Sequence, residues 1–346
     1  MSRKVGVVGA SGYAGVELLR LCAAHPELEV VSATAGASAG ERVAEHTPSL
    51  AAAYPTLTYA ATEDVDLDLD GLDAVFLAMP HGESQHLVPS LLHSVGVVVD
   101  LAADFRLHDA SLYPTWYGDE HVAPELLGRF TYGLPELHRD ELVGARAVAA
   151  PGCYPTAAIL ALAPLVRAGA VTTTDVIVDA ASGVSGAGRA PRPNLHFGAV
   201  DEDFTAYGLL HHRHTAEMEQ ELGAQVLFTP HLAPMVRGIL ATCYARPAGG
   251  GVHPTLATGD ALAILEEAYR DEPFVVVTDG SPSTKATAGS NCAHVTARVD
   301  PRTGWVMAIA AIDNLVKGAA GQAVQCANLA LGLSETTGLP MVGVYP

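Results

Sequence analysis

Short apolar runs alternate with mixed stretches along the first hundred residues. Lys4–Val8 is an apolar run ending in glycine, the pattern of a buried strand. Over Val16–Ala24, apolar residues at 16, 18, 19, 22 and 23 surround Glu17 and Arg20. That spacing predicts a helix, and Pro26 follows it. Leu28–Ala33, Ala74–Ala78 and Val95–Leu101 predict further strands. Strands alternating with helices imply βαβ units and a parallel sheet. From about residue 150 the pattern changes. Val176–Ala180, Gln225–Thr229, Gly238–Tyr244, Phe274–Thr278, Ala293–Asp300 and Trp305–Ile312 predict strands, with a helix over Gly259–Arg270. Such a succession implies a mixed or antiparallel sheet in an α+β domain. Asn314–Leu331 reads as one long, mostly apolar helix that packs back at the domain junction.

The chain has 346 residues, 49% hydrophobic and 16% charged, enough for about two domains and too apolar for a disordered chain. The net charge of -19 repels phosphate backbones, so nucleic acid is not an expected partner. It leaves room for a small anion held by local cations or backbone N–H groups. Cysteines at 22, 153, 243, 292 and 326 form no C-x-x-C pair and suit neither a disulfide framework nor a zinc site. A reduced, cytoplasmic compartment is expected. No run reaches 18 apolar residues, so no membrane span is expected. The start, M-S-R-K-V-G-V-V-G-A, is read as folded core rather than as a leader, because it is Gly-rich and opens a charged helix.

Gly9-Ala-Ser-Gly12-Tyr-Ala-Gly15 lies between the first strand and the first helix, the context of a dinucleotide turn. Glycines let the backbone approach a pyrophosphate, and the helix N-terminus offers free N–H groups. The spacing is G-x-x-G-x-x-G rather than the usual G-x-G-x-x-G. The second strand ends Ser32-Ala-Thr-Ala-Gly-Ala-Ser38, without the acid that holds a ribose hydroxyl in NAD enzymes. That absence favours NADP(H), with Ser38 beside the 2′-phosphate. The fold class expected is α/β: a Rossmann NADP-binding domain over 1–150 with 313–346, plus an α+β domain over 151–312. Ala149-Ala-Pro-Gly-Cys153-Tyr-Pro-Thr156 is a turn running into an apolar helix, and Pro155 suits its first turn. A cysteine there has its thiolate favoured by the helix dipole, and the same N–H groups can hold an oxyanion. Cys153 is therefore the candidate nucleophile. The other four cysteines lie in helix or strand patterns and read as inert.

These segments resemble the N-acetyl-γ-glutamyl-phosphate reductases, relatives of aspartate-semialdehyde and glyceraldehyde-3-phosphate dehydrogenases. The matching motifs are G-A-S-G-Y-A-G at Gly9–Gly15, F-L-A-M-P-H-G at Phe76–Gly82 and D-L-A-A-D-F-R-L at Asp100–Leu107. Further matches are Y-G-L-P-E at Tyr132–Glu136, A-P-G-C-Y-P-T at Ala150–Thr156 and S-G-V-S-G-A-G-R at Ser182–Arg189. The last three are H-R-H at His212–His214, H-L-A-P-M-V-R-G at His231–Gly238 and D-N-L-V-K-G-A-A at Asp313–Ala320. After H-R-H the family commonly has Pro-Glu; here Thr215-Ala216-Glu217 keeps only the acid.

The resemblance implies an NADPH-dependent reductase in arginine biosynthesis, with a catalytic and dimerisation domain over 151–312. It implies that Cys153 forms a thioester from an acyl phosphate, the small-molecule substrate. Relatives acting on aspartyl or aminoadipyl phosphate are the alternative, since one methylene changes binding by only ~1–3 kcal/mol. Gly9, Ser11, Gly12, Tyr13, Ala14 and Gly15 are the implied cofactor contacts. Ser38, Pro80, Ser185, Gly186 and Asn314 complete that set; Asn314 could equally cap the last helix. The acid/base role falls to H-R-H, with His212 first, His214 beside it and His211 as a further alternative. Three histidines in four residues could also bind metal, but no second ligand cluster accompanies them, so none is expected. Arg106, Arg189, Arg213 and Arg237 are the candidate substrate cations, and Glu136 either positions substrate or caps a turn. The loop Ser182–Gly188 could hold an anion through backbone N–H groups. Relatives are commonly dimers or tetramers, so a homo-oligomer is expected.

Overall fold

A computed structural model describes residues 2–64, 69–249 and 256–345. The chain forms two compact units, Met1–Pro151 with Ala319–Leu339, and Gly152–Gly318 with Pro340–Pro346. The C-terminal stretch expected to return whole to the first domain is thus divided. Residues 313–318 and the last seven belong to the second unit.

The first unit is built on seven strands: β1 (Arg3–Val8), β2 (Leu28–Ala35), β3 (Ala60–Ala61), β4 (Ala74–Leu77), β5 (Val97–Asp100), β6 (Thr131–Tyr132) and β7 (Ala147–Ala149). Their order is β3-β2-β1-β4-β5-β7-β6, and every pairing is parallel. The apolar runs are explained by burial on both faces: Val5, Val7, Val8 and all of β4 are sealed. The chain order reverses between β1 and β4. The turn that follows β1 lies at that switch point, where open α/β sheets bind ligands. The helix Tyr13–Ala24 begins three residues earlier than its apolar spacing predicts, and buries Leu18, Leu19, Leu21 and Cys22.

The second unit holds β8 (Val176–Gly183), β9 (Thr205–Ala206), β10 (Val226–Ala233), β11 (Ile239–Ala245), β12 (Val275–Val277), β13 (Ala293–Val299) and β14 (Val306–Ile312). The order is β12-β13-β14-β11-β8-β10-β9. Pairs β8/β10 and β12/β13 are parallel and the other four antiparallel, so the sheet is mixed. β8 and β11 alternate buried and half-buried positions, the mark of one covered face. The cover is the helix Cys153–Arg167, packed on β11 and β14, with Thr258–Ala268 on β13. Residues 154–165 of the first helix are all buried. Pro164 inside it costs about 3 kcal/mol. Sealed Leu160, Leu162 and Leu165 contribute roughly 1.5–3 kcal/mol each and outweigh that cost.

The helix expected over Asn314–Leu331 is observed over 316–330, but its first turn is not α-helical. A π-helical turn, Val316–Ala320, precedes an α-helix limited to Gly321–Ala330. Asp313, not Asn314, closes its start: Oδ1 accepts the N–H groups of Leu315 (2.8 Å) and Val316 (3.1 Å). Asn314 is buried and faces elsewhere.

Candidate active site

At the end of β1, Gly9 has φ +77°, and a Cβ there would lie 2.5 Å from the Ala78 carbonyl oxygen. A Cβ on Gly15 would lie 2.4 Å from the Gly9 oxygen. Only glycine permits this turn to close on itself. Gly12 is the N-cap of the helix Tyr13–Ala24; it carries no capping side chain, and the first turn has no acid. A Cβ on Gly12 would meet nothing nearer than 3.6 Å. Ser11, Tyr13 and Ala14 complete this uncapped cradle, which suits a pyrophosphate on chemical grounds. Ser38 lies in the turn after β2, where its carbonyl accepts the Glu41 N–H. Pro80 is exposed after β4.

Of the five cysteines, Cys153 alone is half-buried and the others are buried. Burial pushes the Cys22 thiol up to about 12 and raises Cys243 and Cys292 as well. Those thiols stay protonated. Cys292 lies just before β13 rather than within a strand. Cys153 is the first residue of its helix. The N-cap is Gly152, in extended conformation and without a capping side chain. The Gly152 N–H donates to Glu217 Oε1 at 2.7 Å, and Thr156 Oγ1 donates to the Gly152 carbonyl at 3.0 Å. Glycine at 152 is required by close approach rather than by φ. A Cβ there would lie 2.5 Å from His214 Nε2 and 2.8 Å from its Cε1.

His214 opens the helix His214–Leu222, and Glu217 lies one turn on. Both are buried. One helix end therefore places an imidazole and a carboxylate against the residue preceding the thiol. His212 lies behind them. Its ring packs edge-on against Tyr154, Phe228 and His214, and its Nδ1 accepts the His214 N–H at 3.2 Å. Burial, then the charges of Arg213 and His211, push its pKa down to about 4. It is neutral at pH 7, with the proton on Nε2. His211 is exposed and donates to the Leu209 carbonyl. Of His212 and His214, His214 is the ring that lies against Gly152.

Several N–H donors of the Gly/Ser loop are already used within the protein. N–H groups of Gly183, Val184 and Ser185 donate to the carbonyls of Gly238, Met235 and Val236, and Gly188 donates to Ser185. Those donors are committed and do not form the expected nest. Asn314 ties the loop down instead, accepting from the Gly238 N–H (2.7 Å) and donating to Ser185 Oγ (3.0 Å). Gly186 is exposed beside Ser182. Arg237 lies 3.6 Å from buried Asp313 and is one-third exposed. Arg189 and Arg213 are exposed. Glu136 is half-buried in the first turn of the helix Pro135–Leu142, in the first unit. Arg106 is buried, and its guanidinium donates to the carbonyls of Ala150 (2.8 Å) and Leu101 (2.9 Å). It braces the segments that leave β5 and β7, so it is no open cation. Among the described residues no cluster of His, Cys, Asp or Glu is arranged to hold a metal, and no helix is long and apolar enough to cross a membrane.

A carboxyl pair that sequence reading passed over lies in D-L-A-A-D-F-R-L. Asp104 accepts from the Gly82 N–H, Ser84 Oγ and the Gln85 N–H, with His81 Nδ1 2.6 Å away. Burial alone would raise its pKa; the His81, Gly82 and Ser84 contacts outweigh burial and hold it near about 2. Asp100 is fully buried, and burial followed by the Asp104 charge raises it to about 7. Folded Asp100 binds a proton that the unfolded chain releases above its usual value near 3.8. This group's contribution to stability therefore falls as pH rises from about 4 to about 7. Asp100→Asn is expected to gain in melting temperature relative to the wild type between pH 5 and pH 8. An offset that stays constant across that range in thermal melts would refute the assignment.

Residues 4–145 match the semialdehyde dehydrogenase NAD binding domain, and 153–314 match the semialdehyde dehydrogenase dimerisation domain. The fold is that of aspartate semialdehyde dehydrogenase II from Vibrio cholerae (TM-score 0.71, 16% identity, 96% of this chain and 99% of that one). It is likewise that of the Candida albicans aspartate semialdehyde dehydrogenase with NADP (TM-score 0.69, 15% identity, 96% and 99%). Fold and domain matches define a two-domain semialdehyde dehydrogenase, with a nicotinamide-dinucleotide-binding first domain. Curated N-acetyl-gamma-glutamyl-phosphate reductases are far more similar. Those of Desulforudis audaxviator and Symbiobacterium thermophilum are each 48% identical, over 99% and 100% of both chains respectively. That of Synechococcus elongatus is 45% identical over 99% of this chain and 98% of its own. The chain belongs to the N-acetyl-gamma-glutamyl-phosphate reductase family.

Proposed function

We propose that this chain reduces N-acetyl-γ-glutamyl phosphate to N-acetylglutamate 5-semialdehyde and phosphate, with NADPH as reductant, in arginine biosynthesis. The observation that carries the chemistry is Cys153 at the uncapped start of a long helix, with His214 against its neighbour Gly152. The helix N-terminus favours the thiolate and presents N–H groups to an oxyanion. Cys153 Sγ attacks the acyl carbon; a C–S bond forms, the C–O bond to phosphorus breaks, and phosphate leaves. When bound, the nicotinamide supplies the hydride that reduces the thioester carbon. His214 takes the thiol proton and returns one to the thiohemiacetal oxygen as needed. Collapse returns that hydroxyl proton to His214, breaks the C–S bond, releases the aldehyde and restores the thiolate. Glu217, through the Gly152 N–H, holds the helix start in place.

The coenzyme cradle at Gly9–Gly15 supports dinucleotide binding, and β2 runs into Gly36, Ala37 and Ser38 without an acid, which supports NADP(H). The partly or fully exposed guanidinium groups of Arg237, Arg213 and Arg189 support a role as cations for the substrate's anionic groups. The half-buried face of the mixed sheet supports association of like chains, as a dimer or a tetramer. Five cysteines that form no disulfide with one another support a cytoplasmic setting.

The direct test runs the reaction backwards: phosphate-dependent reduction of NADP by N-acetylglutamate semialdehyde. Activity that requires phosphate and prefers NADP over NAD is expected. Preference for aspartate semialdehyde would keep the chemistry and overturn the substrate.

A further inference from the structure

We propose that Gly318 is a positioning residue for the Cys153 thiol, and that the π-helical turn Val316–Ala320 serves to bring a position without a side chain against the cysteine. A Cβ built on Gly318 would lie 2.8 Å from Cys153 Cβ, 3.3 Å from Cys153 Cα and 3.3 Å from Ile312 Cδ1. Two of these atoms belong to the first residue of a helix that the Glu217–Gly152 hydrogen bond holds at its start. They cannot swing aside as the end of a flexible side chain would.

The turn itself is held from within. The Gly318 N–H donates to the Asp313 carbonyl at 2.9 Å, five residues back, which is the π-type bond. The buried Asp313 carboxylate accepts the N–H groups of Leu315 and Val316 on one oxygen and that of Gly289 on the other. Such turns are rare and are frequently found at functional sites. Gly318 does not have the left-handed φ of a glycine-only turn. Alanine there is acceptable to the backbone, and the conflict is with Cys153. Elsewhere in a helix, glycine to alanine is favourable. Gly259, in the helix Thr258–Ala268, has nothing within 4 Å of its would-be Cβ and serves as the control.

This inference rests on Cys153 as the nucleophile, but its test does not need the substrate. Wild type, Gly318→Ala and Gly259→Ala are compared for the rate of Cys153 alkylation by iodoacetamide as a function of pH. Gly318→Ala is expected to change that rate or its pH midpoint, by about fivefold or more in rate at neutral pH. It should also lower kcat about 10- to 100-fold, with KM little changed, because misplacement by a fraction of an ångström spoils attack geometry. Gly259→Ala should match the wild type. A wild-type alkylation profile in Gly318→Ala overturns the proposal, whatever happens to kcat. A wild type that alkylates at Cys153 yet turns over no acyl phosphate overturns the proposed function and leaves this comparison valid. Should Gly318→Ala not fold, hydrogen exchange on the wild type decides. Alkylation of Cys153 should change exchange across 313–320 and not across 258–268, and an unchanged 313–320 segment refutes the contact.

Discussion

Cys153→Ala is expected to lower kcat/KM for the acyl phosphate by at least about four orders of magnitude, while NADPH binding stays as in the wild type. A loss of that size, more than about 5 kcal/mol of barrier, follows from removing the atom that forms the covalent intermediate. No other thiol can substitute. Cys22, Cys243 and Cys292 are raised by burial, and Cys326 is fully buried. Steady-state kinetics, with coenzyme fluorescence as the binding control, measures the effect. A variant retaining a tenth of wild-type activity would end the thioester reading. Mass spectrometry adds a second arm: incubation with acyl phosphate and no coenzyme should leave an acyl adduct on wild type and none on the variant.

The second large effect separates two neighbouring histidines. His214→Ala should lower kcat by about 10²- to 10⁴-fold, the usual contribution of a general acid/base. His212→Ala should lose less, about tenfold, because His212 acts through the His214 N–H that it accepts. The pH dependence sharpens the contrast. His212, held near about 4, stays neutral from pH 5 to pH 8. Any inflection of kcat/KM in that range should therefore persist in His212→Ala. Replacing His214 also removes the ring that covers Gly152, so His214→Asn belongs beside the alanine variant to keep part of the volume. A greater loss in His212→Ala than in either His214 variant would reassign the base.

Where element boundaries moved, the reasons are local. β8 runs three residues past the predicted Ala180, because Ser182 and Gly183 continue the pairing with β10. β3, β6, β7 and β9 are only two or three residues long, too short to show any period, and they form because a neighbouring strand offers its edge. The π-turn that opens the last helix is not legible in sequence because Val316, Ala319, Ala320 and Val324 keep an apolar pattern through it. Hydropathy does not register a hydrogen bond from residue 318 to residue 313 in place of 314.

The amino-acid sequence by itself determined the two-domain α/β plan, the glycine turn at a strand end and the single cysteine placed to react. Each rests on local chemistry: buried periodicity, the backbone freedom of glycine, and a Pro/Gly turn that starts a helix. Tertiary structure alone decided which histidine lies against Gly152, which arginines are exposed and which loop donors are already committed. Those outcomes depend on side-chain direction and on partners distant in the chain. Glu217 reaches Gly152 across 65 residues, and Gly318 meets Cys153 across a longer span. Neither approach leaves a periodic trace in hydropathy, because close packing selects for the absence of a side chain as readily as for its presence.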